Sequence, residues 1–191
     1  RMGSYRRHES AYVSQQANVG GGTRVWNHAN IAPGAYVGKD CTIGQNCYIA
    51  PGAVVGSRVK LQNNVSVYRG IILEDDVFCG PGVVFTNVLF PRSEFPKKPA
   101  QYDKTLVQKG ASIGGGAVVV AGNVIGQYAL VGAGAVVAGD VPDHAVVMGN
   151  PARQTGWVCR CGNPLSEDLV CSACQRRYQK TEKGLAPAEG K

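Results

Sequence analysis

The chain has 191 residues, a formal net charge of +7 and only 17% charged residues, enough for one domain or one domain with a small appendage. No stretch of about eighteen apolar residues is present to span a membrane. The basicity forms neither the dense stripe nor the aromatic platform expected of a nucleic-acid binder. It collects at Arg1, Arg6 and Arg7, at Arg92, Lys97, Lys98 and Lys104, and at Arg176, Arg177, Lys180 and Lys183, and suits small phosphate-bearing anions better.

Taken from its start, the chain opens with Arg1-Met2-Gly3-Ser4, which reads partly as an expression remnant, and it shows no secretory leader pattern. From Val13 onward an apolar residue recurs at every sixth position: Val13, Val19, Val25, Ile31, Val37, Ile43, Ile49, Val55, Leu61, Val67, Leu73, Cys79 and Phe85. The same period resumes at Val107, Ile113, Val119, Ile125, Val131 and Val137. Two residues before most of these stands a small side chain, such as Ala29, Ala35, Cys41, Cys47, Ala53, Ala111, Ala117, Ala129 or Ala135. Neither helix nor ordinary strand has this period. Because residues i and i+2 of a strand share a face, each six-residue unit is one short strand plus a turn with two inward side chains. Three units make a coil of about eighteen residues, and stacked coils make a parallel β-helix. Glycines at 20, 38, 44, 56, 114, 126 and 132 fall at the corners. A β-sandwich would instead show turn signals every eight to twelve residues or so.

Residues 88–106 interrupt the repeat as an inserted loop, stiffened by Pro91, Pro96 and Pro99, and insertions into solenoids commonly mark the functional face. After residue 140 the period ends in Gly149-Asn150-Pro151-Ala152-Arg153. A segment over 156–178 then carries Cys159, Cys161, Cys171 and Cys174, a ligand set suited to structural Zn²⁺. The Cys-x-Cys half is one residue short of the usual knuckle, which leaves reduced free thiols or a redox pair as alternatives. Residues 179–191 are polar and are expected to be a disordered tail. Inward thiols at 41, 47 and 79 without a targeting segment point to a reducing cytoplasm.

Over about residues 8–155 the sequence resembles the hexapeptide-repeat acyltransferases. That likeness, not the periodicity, implies that the β-helix is left-handed, that the protein is a homotrimer, and that the active sites lie between subunits. The resemblance narrows at Gln62-Asn63-Asn64-Val65-Ser66-Val67-Tyr68, at Phe78-Cys79-Gly80-Pro81-Gly82-Val83-Val84-Phe85-Thr86-Asn87-Val88 and at Pro91-Arg92-Ser93. These segments are similar to the bacterial nucleotide-sugar N-acetyltransferases that acetylate a 3-amino sugar. Trp26 and the run Pro151-Ala152-Arg153-Gln154-Thr155-Gly156-Trp157 fit the same family, while Asn27 and Asn30 stand where related sequences often carry histidine. The implied reaction is transfer of acetyl from acetyl-CoA to UDP-2-acetamido-3-amino-2,3-dideoxyglucuronate, a UDP-amino sugar used for lipopolysaccharide O-antigen. A dTDP-3-amino-3,6-dideoxyhexose acceptor and a non-catalytic sugar-binding β-helix are the alternatives. A γ-class carbonic anhydrase would need three well-placed histidines, and His8, His28 and His144 do not supply them.

Attack of a neutral amine on a thioester passes through an oxyanion, so it needs orientation and hydrogen-bond donors more than a strong base. Asn87 is the candidate for orienting the amine. Asn63, Asn64, Tyr68, Phe85 and Arg92 are candidates for holding the acceptor; the two asparagines could equally form a corner ladder and Tyr68 could be plain surface packing. Gly115, Gly116, Ala121, Gly122, Ala133 and Gly134 offer small residues and backbone amides for acetyl-CoA, or are mere corner residues. Arg153 is the candidate phosphate partner, because its guanidinium binds two oxygens at once.

Overall fold

The structure is a computed structural model in which residues 4–188 are described; all but Ser4 of the expected remnant at 1–4, and the tail end at 189–191, lie outside them. Each six-residue unit is a two-residue strand whose second residue points inward, so that Ile31, Ile43, Ile49, Val55 and Leu61 are fully buried. Parallel pairs join residues eighteen apart, as in Arg24 with Thr42 and Lys60 with Phe78. Three faces result. Face I runs from Arg6–Arg7 through Arg24–Val25, Thr42–Ile43, Lys60–Leu61, Phe78–Cys79, Ser112–Ile113 and Leu130–Val131 to Ala145–Met148. Face II holds Tyr12–Val13, Asn30–Ile31, Tyr48–Ile49, Ser66–Val67, Val84–Phe85, Val118–Val119 and Val136–Val137. Face III holds Asn18–Val19, Tyr36–Val37, Val54–Val55, Ile71–Leu73, Thr105–Val107 and Val124–Ile125.

The interior is one continuous column of aliphatic side chains with the small residues, including Cys41, Cys47 and Cys79, filling between them. Burial raises all three of these thiols above the ordinary range, so they stay protonated filler. Corners stack directly, and the first corner residue has no room for a side chain: a Cβ on Gly80 would lie 2.5 Å from the Gly115 nitrogen. The third corner residue often adopts positive φ, as at His28, Asp40, Asn46 and Asn64, a region that short polar side chains tolerate best.

The insertion leaves the coil after face II and returns at Thr105, inside the 88–106 bounds read from the sequence. Thr105 is buried and its hydroxyl accepts a hydrogen bond from the Gly122 amide at 3.1 Å, so it acts as the small inward residue of its unit. Val84 pairs with Val118 and Ile72 with Leu106 across the insertion, and the register survives it.

At the far end Arg153–Trp157 turns back antiparallel to Ala145–Met148, and the cysteine segment follows. The tail differs from the expectation of disorder: Tyr178–Thr181 and Gly184–Pro187 form a hairpin. Its Lys183 carbonyl accepts from the Asp143 amide (2.8 Å) and its Leu185 amide donates to the Asp143 carbonyl (3.1 Å). Two buried residues, Tyr178 and Leu185, anchor this otherwise polar stretch. Among the described residues no helix is long and apolar enough to cross a membrane.

Candidate active site

The three edges of the coil sort the candidate residues. The first edge, between faces I and II, carries Asn63, Asn64, Gly115, Gly116, Ala133 and Gly134. The second edge, between faces II and III, carries Tyr68, Asn87, the insertion, Ala121 and Gly122. Face II separates the two groups, so one chain does not gather them at a single point.

On the second edge Asn87 stands at the root of the insertion. Its Nδ2 donates to the Arg69 carbonyl at 3.2 Å, and its carbonyl accepts from the Asp103 amide at 2.9 Å. Asp103 closes the root by accepting from the Leu89 amide at 2.9 Å. Earlier coils fill this corner with Ala32-Pro33-Gly34 and Ala50-Pro51-Gly52, whereas here it reads Tyr68-Arg69-Gly70. That change of an apolar corner to an aromatic and a cation is the signal for Arg69, which the motif reading passes over. Tyr68 lies edge-on to Tyr48, with ring centroids 6.2 Å apart. Farther up, Ala138, Gly139, Pro151 and Arg153 line a cleft of about 550 Å³, and Arg153 Nη1 donates to the Ala152 carbonyl at 3.0 Å. Arg92 lies out on the exposed loop and folds back to the Pro91 carbonyl at 3.2 Å.

The amides of Ala121 and Gly122 are already committed, the first to Thr86 Oγ1 at 2.9 Å and the second to Thr105 Oγ1. Those of Gly116 and Gly134 donate to the Pro81 and Gly115 carbonyls. Among the described residues nothing accepts from the Gly115 or Ala133 amide. The reason is local: the Gln45 amide at the same corner position is held by Asn63 Oδ1 from the next coil at 3.0 Å, and Gly115 has only Ala133 above it. Asn63 and Asn64 do form a ladder, since Asn46 Nδ2 donates to Asn64 Oδ1 at 3.2 Å. The outer side of Asn63 nonetheless belongs to a small cleft of about 270 Å³ that it shares with Trp26, Asn27 and Thr42. Trp26 continues into a neighbouring hollow with Arg6 and Arg24.

Phe85 must be withdrawn from the acceptor-binding residues. It is 1% exposed, the largest side chain wholly inside the coil, because its register position points inward. Phe85→Ala is therefore expected to cost about 3–5 kcal/mol of stability, read in a denaturant melt, through loss of packing and not of a ligand contact. No histidine reaches the second edge. His8 and His28 sit at first-edge corners, with His8 Nε2 3.3 Å from Asn27 Nδ2, and His144 is buried at the far end, its Nδ1 2.8 Å from the Val158 carbonyl.

Beyond the coil, the Sγ atoms of Cys159, Cys161, Cys171 and Cys174 all lie within 4.8 Å of one another. The short Cys-x-Cys spacing does not keep them apart: Cys159 and Cys174 are 3.4 Å apart, and Cys161 and Cys171 are 3.6 Å apart. A tetrahedron with metal–sulfur bonds of about 2.3 Å has sulfurs about 3.8 Å apart, so the set fits. Asn163 Nδ2 and Arg176 Nη1 each lie 3.3 Å from a sulfur, of Cys161 and Cys174 respectively, and the Tyr178 hydroxyl lies 3.1 Å from that of Cys159. Donors from Asn163 lower the Cys161 thiol to about 6, while burial pushes Cys171 up to about 11.

Residues 16–57, the lower coils of this column, match the family profile described as bacterial transferase hexapeptide (six repeats). The chain is a hexapeptide-repeat protein. It is 51% identical over 84 residues to the dTDP-3-amino-3,6-dideoxy-α-D-galactopyranose 3-N-acetyltransferase of Aneurinibacillus thermoaerophilus, a match covering 42% of this chain and 43% of that protein. It is 34% identical over 83 residues to the galactoside O-acetyltransferase of Lactococcus lactis, covering 42% of this chain and 40% of the relative. The chain thus spans less than half the length of the curated relatives it matches. The acetyltransferase domain of PglB from Neisseria gonorrhoeae, solved with acetyl coenzyme A, superposes with a TM-score of 0.50 at 23% identity, over 78% of this chain and 56% of that one. That likeness concerns the hexapeptide-repeat fold.

Proposed function

We propose that this hexapeptide-repeat protein is an N-acetyltransferase that moves the acetyl group of acetyl-CoA to the amino group of a nucleotide-linked 3-amino sugar. The observation that carries this reading is the 51% identity, over 84 residues, to a protein named as a 3-N-acetyltransferase of a dTDP-linked 3-amino sugar. The neutral amine attacks the thioester carbon, the carbonyl oxygen becomes an oxyanion, and collapse expels the CoA thiolate, which takes up the proton the new amide nitrogen gives off. No described histidine serves the second edge, and none is required. An amine on an electron-poor ring loses its proton more easily than lysine, whose ordinary pKa is about 10.4. Asn87 orients the amine, and the free amides of Gly115 and Ala133 are the candidate oxyanion donors.

Because face II divides these groups, the reading includes a homotrimer whose active sites form where the first edge of one copy meets the second edge of another. Exposed apolar side chains on faces II and III, among them Tyr12, Tyr36, Ile72 and Val84, support such an assembly. Arg153 takes a phosphate of CoA. Trp26 with Arg6 and Arg24 takes the base and diphosphate of the acceptor, and Arg69 takes an anionic group next to Asn87. Between acceptors, the relative's name favours a dTDP-linked dideoxy sugar, whereas the sequence resemblance and the cation at 69 favour the UDP-linked uronate of O-antigen synthesis. The four-cysteine cluster is read as a structural Zn²⁺ site.

Release of free CoA thiol, measured with acetyl-CoA and each of UDP-2-acetamido-3-amino-glucuronate, an uncharged UDP-amino sugar and a dTDP-3-amino-6-deoxysugar, tests the reaction and the acceptor together. Turnover with the uronate alone assigns the UDP substrate, and turnover with the dTDP sugar assigns the other. Release with none refutes the transferase reading for these acceptors. In the same assay Arg153→Ala is expected to raise KM for acetyl-CoA tenfold or more, roughly the loss of one charge-assisted contact, with a smaller effect on kcat.

A further inference from the structure

The upper end of a parallel β-helix is an open edge of unpaired backbone; in this chain Arg153–Trp157 pairs with Ala145–Met148, Gly149 and Ala152 bond to Val136, and the hairpin behind the cysteine segment closes the corner at Asp143. The hairpin bonds to both sides of Asp143, and the Val158 amide donates to the His144 carbonyl at 2.8 Å. His144 is clasped between Tyr128 of the last full coil and Tyr178 of the hairpin, with ring centroids at 5.2 and 4.8 Å. Trp157 packs against the coil interior and against the small second core at once. Among the described residues that second core has only four buried members, Cys159, Cys171, Tyr178 and Leu185, and two of them are cysteines of the cluster. So few apolar groups cannot offset the ordering of some thirty residues, and small units of this kind depend on a metal or a cross-link. The hydroxyl of Tyr178 ties the parts together, since it contacts Cys159 Sγ and accepts from the Arg160 amide at 2.9 Å.

Resting on the zinc reading above, we infer that the metal-loaded Cys159–Cys161–Cys171–Cys174 site is the fastening that closes the open end of the β-helix, and that its occupancy holds the strand Arg153–Trp157 in place beside the second-edge cleft. The strand is paired with Ala145–Met148 and the chain reaches the cluster at Cys159 directly after Val158, so the metal adds its hold at the Trp157 end of that ladder. Four thiolates around Zn²⁺ carry a net double negative charge, and the guanidinium of Arg176 at Cys174, with Arg160 stacked 5.3 Å from the Tyr128 ring, supplies cations on that side. The metal therefore docks the cap as well as folding it.

The test uses the full chain. Zinc content is measured as purified and again after removal with phenanthroline and re-addition of Zn²⁺, and Co²⁺ is loaded as a spectroscopic probe of a tetrahedral thiolate site. Amide hydrogen exchange is followed in each state, with the coils over 12–85 as internal reference. One zinc per chain is expected, with thiolate-to-cobalt absorption. Removal should speed exchange about tenfold or more over 141–158 and 178–187, restored on re-addition. A protein that binds neither zinc nor cobalt overturns the metal reading itself. Stoichiometric zinc whose removal leaves 141–158 protected overturns the fastening while leaving the metal reading intact.

Discussion

Gly114→Ala is expected to destabilise the protein by about 3 kcal/mol or more, at the upper end of what overpacking costs. For a chain of this size that lowers Tm by roughly 10 °C. The added Cβ would stand 2.5 Å from the Ala133 nitrogen, 2.8 Å from its Cα and 2.8 Å from the Gly132 carbonyl carbon. All three are backbone atoms of the coil above, so no side chain can rotate away. Relief requires the coils to separate at that corner, against neighbouring ladder bonds such as Gly114 N to the Val131 carbonyl at 2.8 Å. The strain would spread to Gly115 and Ala133, whose free amides belong to the proposed oxyanion site. Gly116→Ala is the control. Its Cβ would meet nothing within 4 Å, and its φ of +68° alone makes it strained, so its cost should be near 1 kcal/mol. A thermal melt of the two variants separates crowding from backbone conformation, and equal losses would refute the crowding account.

The same stacking explains how much of the fold is legible in the amino-acid sequence. A six-residue period with small residues two places earlier leaves one arrangement of strands, and the column from Val19 to Val137 follows it without a slip. The register even carries the correction for Phe85: a residue in the apolar series points inward, and its aromatic character does not change that. Edges are legible in the same way, because residues eighteen apart share a corner; Asn63 and Asn87 are one coil and one unit apart and must fall on different edges. What the period cannot show is which corner atoms remain free. The amides of Ala121 and Gly122 look as available as those of Gly115 and Ala133, and only the threonines at 86 and 105, from neighbouring coils, decide otherwise. The hairpin at 178–187 is hidden for a related reason. Its composition is polar, and its order comes from Asp143 and the aromatic clasp on His144, both remote in sequence.

Asn87→Ala is expected to lower kcat about a hundredfold, the scale of effect that misplacing a reacting group produces, with little change in KM for acetyl-CoA. Asn87 Nδ2 holds the Arg69 carbonyl across the coil boundary, and its backbone carbonyl holds Asp103 on the returning arm of the insertion. The side-chain carbonyl oxygen is the atom left over, and an acceptor there can take a hydrogen from a neutral amine and so aim the nitrogen lone pair at the thioester carbon. A merely structural asparagine would behave differently. Losing one exposed hydrogen bond costs about 1 kcal/mol of stability and should loosen the insertion without separating kcat from KM. Asn87→Asp keeps an acceptor but loses the donor to Arg69, and its carboxylate repels that carbonyl. It should fall between wild type and alanine in kcat, with an acceptor KM that changes with salt because the new charge faces the anionic sugar nucleotide. The measurement is steady-state thiol release with both substrates varied, together with the oligomeric state of each variant. Unchanged turnover in Asn87→Ala removes Asn87 from the reaction and leaves Arg69 and Tyr68 as the side chains of the second edge to examine. A hundredfold loss in kcat with assembly and CoA affinity intact assigns Asn87 to orientation of the amine.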